Sequence, residues 1–191
     1  MTLLICGLIL FIGIHSVSIF ADQWRNEQVA KLGVKTWKVL YSLISIAGLA
    51  LMVFGYLQVK PQPITIWSPP DWAWLITVYF SLVSFILIAA AYVPRNAIKL
   101  KLKDPMLVGV IVWAICHLTS VGSLAGIILF GSFLIWGVLD LISCRARRSK
   151  LPPLQEEASF VMTLATIALG IMAAFPLALK AYGILTSWGG E

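Results

Sequence analysis

Apolar residues in this chain come in long blocks rather than in the single stripes of surface helices or the alternation of half-buried strands. Six blocks stand out, at residues 3–21, 39–57, 72–93, 105–119, 124–142 and 160–181. A helix that crosses a bilayer needs ~20 mostly apolar residues, and five of the six blocks approach or reach that length. The fourth is short, and only residues 120–123 separate it from the fifth, so the pattern predicts a tight helical hairpin there. The first block has no basic residue ahead of it and no small-x-small cleavage pattern before Asp22; it reads as a retained helix and not as a secretory leader. The predicted fold is therefore all-α, a polytopic transmembrane helical bundle of about six spanning helices, forming a single domain over residues 1–191.

Composition sharpens this picture. The chain is 60% hydrophobic and 12% charged, against ~25% charged in a typical soluble domain. Soluble enzymes, disordered tails and nucleic-acid binders are excluded, and the lipid bilayer is the first partner. The net charge of +6 reads as a topology signal. Arg25, Lys31, Lys35 and Lys38 follow the first span; Arg95, Lys99, Lys101 and Lys103 follow the third; Arg145, Arg147, Arg148 and Lys150 follow the fifth. Only Lys60 and Lys180 lie elsewhere. This alternation places the basic loops inside and both termini outside, which in a bacterium means the inner membrane with periplasmic termini. Pro61, Pro63, Pro69 and Pro70 with Trp67, Trp72 and Trp74 mark an outer loop and an interfacial aromatic belt. Gly122/Gly126 and Gly170/Ala174 have the spacing of close helix contacts. Cys6, Cys116 and Cys144 offer neither a disulfide framework nor metal-thiolate spacing.

The candidate chemistry lies in the two histidines, His15 in the first span and His117 in the fourth, which are the only ones in the chain. An ionisable side chain inside a span is a functional signal, although a buried imidazole also serves as an interhelical hydrogen-bonding group. The residues alone leave both readings open. At ~3.6 residues per turn, His15 shares a face with Leu8, Phe11, Ser18, Asp22 and Arg25, a polar stripe running to the inner interface. Gly109, Trp113, His117 and Ser120 align on the fourth span: Gly109 leaves space, and Trp113 offers a flat apolar wall. Tyr41, Ser45 and Gly48 align on the second. Two histidines without carboxylate or thiolate partners match zinc and di-iron sites poorly. Haem needs only one or two axial imidazoles, so haem b is the better match for His15 and His117. No Cys-x-x-Cys-His occurs, which excludes covalent attachment. Helical rise puts His15 ~10 Å and His117 ~18 Å from the inner ends of their helices, so ligation by only one of them stays open.

The blocks around these residues resemble the NnrU family. They are Gly13-Ile14-His15-Ser16 with Arg25 and Leu40-Tyr41-Ser42-Leu43-Ile44-Ser45, then Asp104-Pro105-Met106-Leu107-Val108-Gly109, Trp113-Ala114-Ile115-Cys116-His117-Leu118 and Phe130-Gly131-Ser132-Phe133. Bacterial members are named for a role in denitrification, associated with nitric oxide and nitrite reductase function. A plant and cyanobacterial relative, ζ-carotene isomerase, is a membrane haem b protein that isomerises a polyene. The resemblance implies that His15 and His117 match its histidine haem ligands, between the first and fourth spans, with Trp113 and Gly109 beside the porphyrin and Arg25 near a propionate. Many relatives carry Arg-His-Pro where this chain has Lys103-Asp104-Pro105, so any role of that further histidine is lost here.

Three functions follow from these readings. The first is a haem b membrane protein with isomerase-like or redox-linked chemistry on a hydrophobic polyene or in nitrogen-oxide respiration. The second is a non-enzymatic accessory or maturation factor that docks on a respiratory reductase subunit. The third is a membrane methyltransferase, to which the Pro105-x-x-x-Gly109-x-x-x-Trp113 spacing is similar; the Arg-His-Pro and Glu-Arg segments of that class are missing.

Overall fold

A computed structural model describes residues 1–149 and 157–188, with side chains up to residue 176. Lys150 at the end of the basic flank, the side chain of Lys180 and the C-terminal Glu191 lie outside the described residues. The fold is all-α: α1 (Thr2–Phe20), α2 (Asp22–Leu32), α3 (Val34–Val59), α4 (Ala73–Tyr92), α5 (Ala97–Leu102), α6 (Pro105–Ser120), α7 (Leu124–Arg148) and α8 (Phe160–Trp188). All six apolar blocks are helices. Among the described residues, α1, α3, α4 and α7 are long and apolar enough to cross a membrane unaided; α6 and α8 up to Pro176 are apolar but shorter. The protein is an integral membrane protein.

Two short helices occupy stretches that the hydropathy pattern treats as loops. Ala21 (φ −138°, ψ 41°) ends α1, and α2 restarts with Asp22 in its first turn and Lys31 in its last, an order that suits the helix dipole. Gln, Arg, Glu, Ala, Lys and Leu, all good helix formers, make up most of its length, and Gly33 at φ +83° stops it. α5 is started by Asn96, whose carboxamide oxygen accepts from the Lys99 N–H at 2.8 Å, and the chain turns out of it at Lys103 (φ +66°).

The chain folds as two compact units, Met1–Ser68 with Val121–Ser143, and Pro69–Ser120 with Cys144–Glu191. In the first, α1 packs along α3 at backbone contact. A Cβ on Gly7 would run into the backbone of Met52 and lie 2.7 Å from the Gly48 carbonyl oxygen. One on Gly48 would lie 2.8 Å from the Phe11 nitrogen, and one on Gly55 would overlap the backbone of Leu4. Leu4, Leu8, Met52 and Ala125 form the buried core, with Phe11, Tyr56, Leu129 and Phe133 against it. Residues 64–67 of the proline-rich loop pair with the turn before α7: the Ile66 N–H donates to the Gly122 carbonyl at 2.8 Å and the Leu124 N–H to that of Ile64 at 2.8 Å. Gly122 is thus a turn residue, not half of a helix-packing pair, and the space at Gly126 is filled by Val121.

The second unit is built on α4, which packs against α6 and α8. Hydroxyl groups hold α4 to α6. Thr77 donates to the Cys116 carbonyl at 2.7 Å and to the Ser120 hydroxyl at 2.6 Å, and the fully buried Ser84 donates to the Gly109 carbonyl at 2.6 Å. Such interhelical bonds are worth roughly 0.6 kcal/mol each on average in a membrane protein. Gly170 meets the backbone of Ile86, the close helix contact its spacing predicts.

Filling the α1–α3 contact should cost more than filling open space. Gly55→Ala is expected to destabilise the protein by ~1–3 kcal/mol. Gly13→Ala, whose new methyl would meet nothing within 4 Å, should leave the thermal transition in detergent unchanged or raise it. Circular dichroism melts of the two variants beside the wild type provide the comparison.

Two anchored histidines and their surroundings

Both histidines use the same local device. The Nδ1 of His15 lies 2.7 Å from the Phe11 carbonyl oxygen, and the Nδ1 of His117 lies 2.8 Å from that of Trp113. In each case the acceptor is the carbonyl one helical turn earlier. A carbonyl only accepts, so in the neutral ring Nδ1 carries the proton and Nε2 carries the lone pair. This arrangement orients a ligating imidazole and raises its basicity.

The surroundings differ. His15 belongs to the first unit and stands among aromatic rings from three helices. Phe11 stacks on it at 4.2 Å and 25°, Tyr41 of α3 is tilted at 5.0 Å, and Trp136 of α7 meets it edge-on at 5.7 Å. Trp136 is 8% exposed, and its indole Nε1 is a buried donor with no acceptor among the described residues. One turn further along α7 lies Asp140, which is also buried. His117 belongs to the second unit. Trp113 is tilted 51° to it at 5.1 Å, and the Cys116 sulfur lies 3.5 Å from its Nδ1.

The other residues singled out in the sequence fall as follows. Trp113 is the ring beside His117. Gly109 lies on α6, but the space left by its missing side chain is taken by α4: a Cβ there would be 3.0 Å from the Ser84 carbonyl oxygen and 3.1 Å from Ile88 and Leu87. Its smallness serves helix packing. Arg25 lies on α2, 3.6 Å from Asp22 and hydrogen-bonded to Asn26. The break at Ala21 ends the expected stripe at Ser18, so His15 and Arg25 do not share one helix face. Trp136 and Asp140 were missed, although Asp140 is the only carboxylate within the six apolar blocks and the cost of burying it was the available signal. Among the described residues, no three His, Cys, Asp or Glu side chains come together as a metal-binding group.

The fold and these side chains define a polytopic helical membrane protein that holds its two imidazoles within apolar helices. The chain belongs to the NnrU family: the family model described as "NnrU protein" matches residues 3–188. Neither the curated proteins nor the solved structures contain a match to it.

The tautomer can be tested directly. In ligand-free protein labelled with ¹⁵N-histidine, both rings are expected to show a protonated Nδ1 and an unprotonated Nε2. An Nε2–H tautomer at His15 would contradict the anchoring bond to Phe11.

Proposed function

We propose that this NnrU-family protein binds haem b in the membrane, with His15 and His117 as its imidazole ligands. The observation that supports the reading is the Nδ1-to-carbonyl bond that both histidines make, which puts the lone pair on Nε2, the nitrogen that ligation would use. The donor set also fits. A metal held by protein side chains alone wants three or four ligands, whereas a porphyrin brings four of its own and asks the protein for one or two imidazoles. Haem b bound in this way would supply an iron centre for isomerisation or redox-linked chemistry.

The protein's own part is to orient and to shield. Phe11, Tyr41 and Trp136 surround His15 with apolar ring surface, which keeps water from the imidazole. The buried Trp136 Nε1 has no acceptor among the described residues, and a bound group with an acceptor atom would satisfy it. Of the two contexts that the family resemblance offers, the ring-lined surroundings of His15 suit an apolar polyene substrate. A link to nitrogen-oxide respiration in a bacterial inner membrane rests on the family resemblance.

Protein purified in detergent after haem-replete expression should show a Soret band, and pyridine haemochrome analysis should identify haem b. His15→Ala and His117→Ala should each abolish or strongly shift the band while leaving helicity unchanged. Wild type without a Soret band, or two variants with unaltered spectra, would overturn the reading.

A further inference from the structure

The second unit carries a cleft that the histidines do not touch. It has a volume of about 340 Å³ and is lined by Lys101, Leu102, Lys103, Asp104, Arg145, Arg148 and Ser149. These residues come from two segments over forty positions apart, the α5–α6 corner and the end of α7, and four of them are cations. We propose that this cleft is a binding site for a phosphate-bearing anion, with Lys101, Lys103 and Arg145 as the recognising cations.

Two built features separate this site from an ordinary basic flank. The first is a strut. Arg148 donates through both terminal nitrogens to the two oxygens of Asp104, at 2.6 Å and 2.5 Å. The carboxylate is only 11% exposed and the guanidinium 33%. This fork-to-fork geometry fixes both planes, and it ties the end of α7 to the start of α6. Arg145, one turn earlier on α7, is thereby held opposite Lys101 and Lys103. Among the described residues that line the cleft, Asp104 is the only carboxylate, and its charge is matched by Arg148, which leaves the other three cations in excess.

The second feature is the corner itself. Lys103 adopts φ +66° and ψ −43°, a conformation that costs a non-glycine residue energy and that persists where the surroundings enforce it. The corner turns the chain from α5 directly into α6, so that Lys101, Lys103 and the positive end of the sixteen-residue α6 meet at one rim. Lys101, Lys103 and Arg145 are all exposed, as a site for a charged ligand requires.

Location suggests the source of the anion. The apolar run of α7 ends at residue 142, which puts Arg145 at the depth of lipid headgroups, beside the basic α5–α6 corner. Anionic lipids attract such clusters with ~1 kcal/mol per Lys or Arg. A phospholipid headgroup and a soluble phosphate compound share the recognising chemistry, and the test must tell them apart.

The full chain in neutral detergent would be titrated with short-chain phosphatidylglycerol and, separately, with inorganic pyrophosphate, and bound species counted by native mass spectrometry. Two triple variants with equal charge change serve as the comparison: Lys101→Gln, Lys103→Gln, Arg145→Gln in the cleft, and Lys31→Gln, Lys35→Gln, Lys38→Gln outside it. Phosphatidylglycerol binding weakened roughly tenfold or more in the cleft variant, and retained in the other, supports the site with lipid as its source. Pyrophosphate binding with the same residue dependence, without lipid binding, supports it with a soluble source. Equal loss in both variants, no loss in the cleft variant, or binding of neither probe to the wild type would overturn the proposal. If the cleft triple does not fold, the single changes Lys103→Gln and Arg145→Gln take its place, each expected to weaken binding several-fold.

Discussion

The contact on which the first unit depends is the approach of α1 to α3 at backbone distance. Lipid tails are as apolar as Leu, so hydrophobic transfer gives two membrane helices little reason to associate; close packing does. Gly7, Gly48 and Gly55 permit that packing, and each is placed where a methyl group would meet main-chain atoms of the facing helix. The register follows along the two antiparallel helices: Leu4 against Gly55, Gly7 against Met52 and Gly48, Phe11 against Gly48. One further turn brings His15 to Tyr41. The surroundings of the imidazole are therefore fixed by residues up to ~17 Å away along the helix axis, at ~1.5 Å per residue.

The second unit solves the same problem with polar atoms. Thr77, Ser81 and Ser84 run down one face of α4 at helical spacing. Thr77 and Ser84 donate to α6 carbonyls, and Ser81 lies 3.8 Å from the Cys116 sulfur. Because the carbonyls they engage belong to Cys116 and Gly109, the bonds bracket Trp113 and fix the turn of α6 that presents His117. Gly109 belongs to this interface. Its role is to let α4 approach, and the serine hydroxyl supplies the bond that rewards the approach.

The hydropathy blocks made the apolar helices legible to within a few residues at most ends, since the bilayer imposes length and composition together. What escaped were features set by local backbone chemistry. A polar stretch such as 22–32 gives no hydropathy signal, and its helix rests on propensity, end charges and the Gly33 stop. The break at Ala21 has no sequence marker, and it removed Arg25 from the face of His15. Glycine spacing pointed to Gly122 and Gly126, which pack their own turn, whereas the α1–α3 seam uses Gly7, Gly48 and Gly55. Only Gly48 and Gly55 share a helix, at a separation of seven residues, so a search along a single helix for four-residue spacing passes over the seam. His15 and His117 were visible because they are rare and ionisable. Trp136 was not, because one more aromatic residue in an apolar block looks like core.

The bilayer also makes neutral imidazole a cheaper lone-pair donor to bury in these helices than a charged group. A carboxylate or an ammonium pays a large desolvation penalty in hydrocarbon, and a thiol must lose its proton before it binds a metal well. Neutral imidazole keeps a lone pair without any charge, and its single N–H can be satisfied without help from a second helix. The carbonyl of residue i−4 already lies beneath the ring and has a spare lone pair, so one backbone acceptor serves both the helical hydrogen bond and the side chain. Phe11 and Trp113 supply that acceptor, and each also places its own ring beside the histidine one turn on. An aromatic residue four positions before a histidine thus provides, in one element, the anchor for Nδ1 and an apolar wall beside the ring. The same pair recurs at residues 11 and 15 and at residues 113 and 117, and in both places the carbonyl assigns the ring proton to Nδ1.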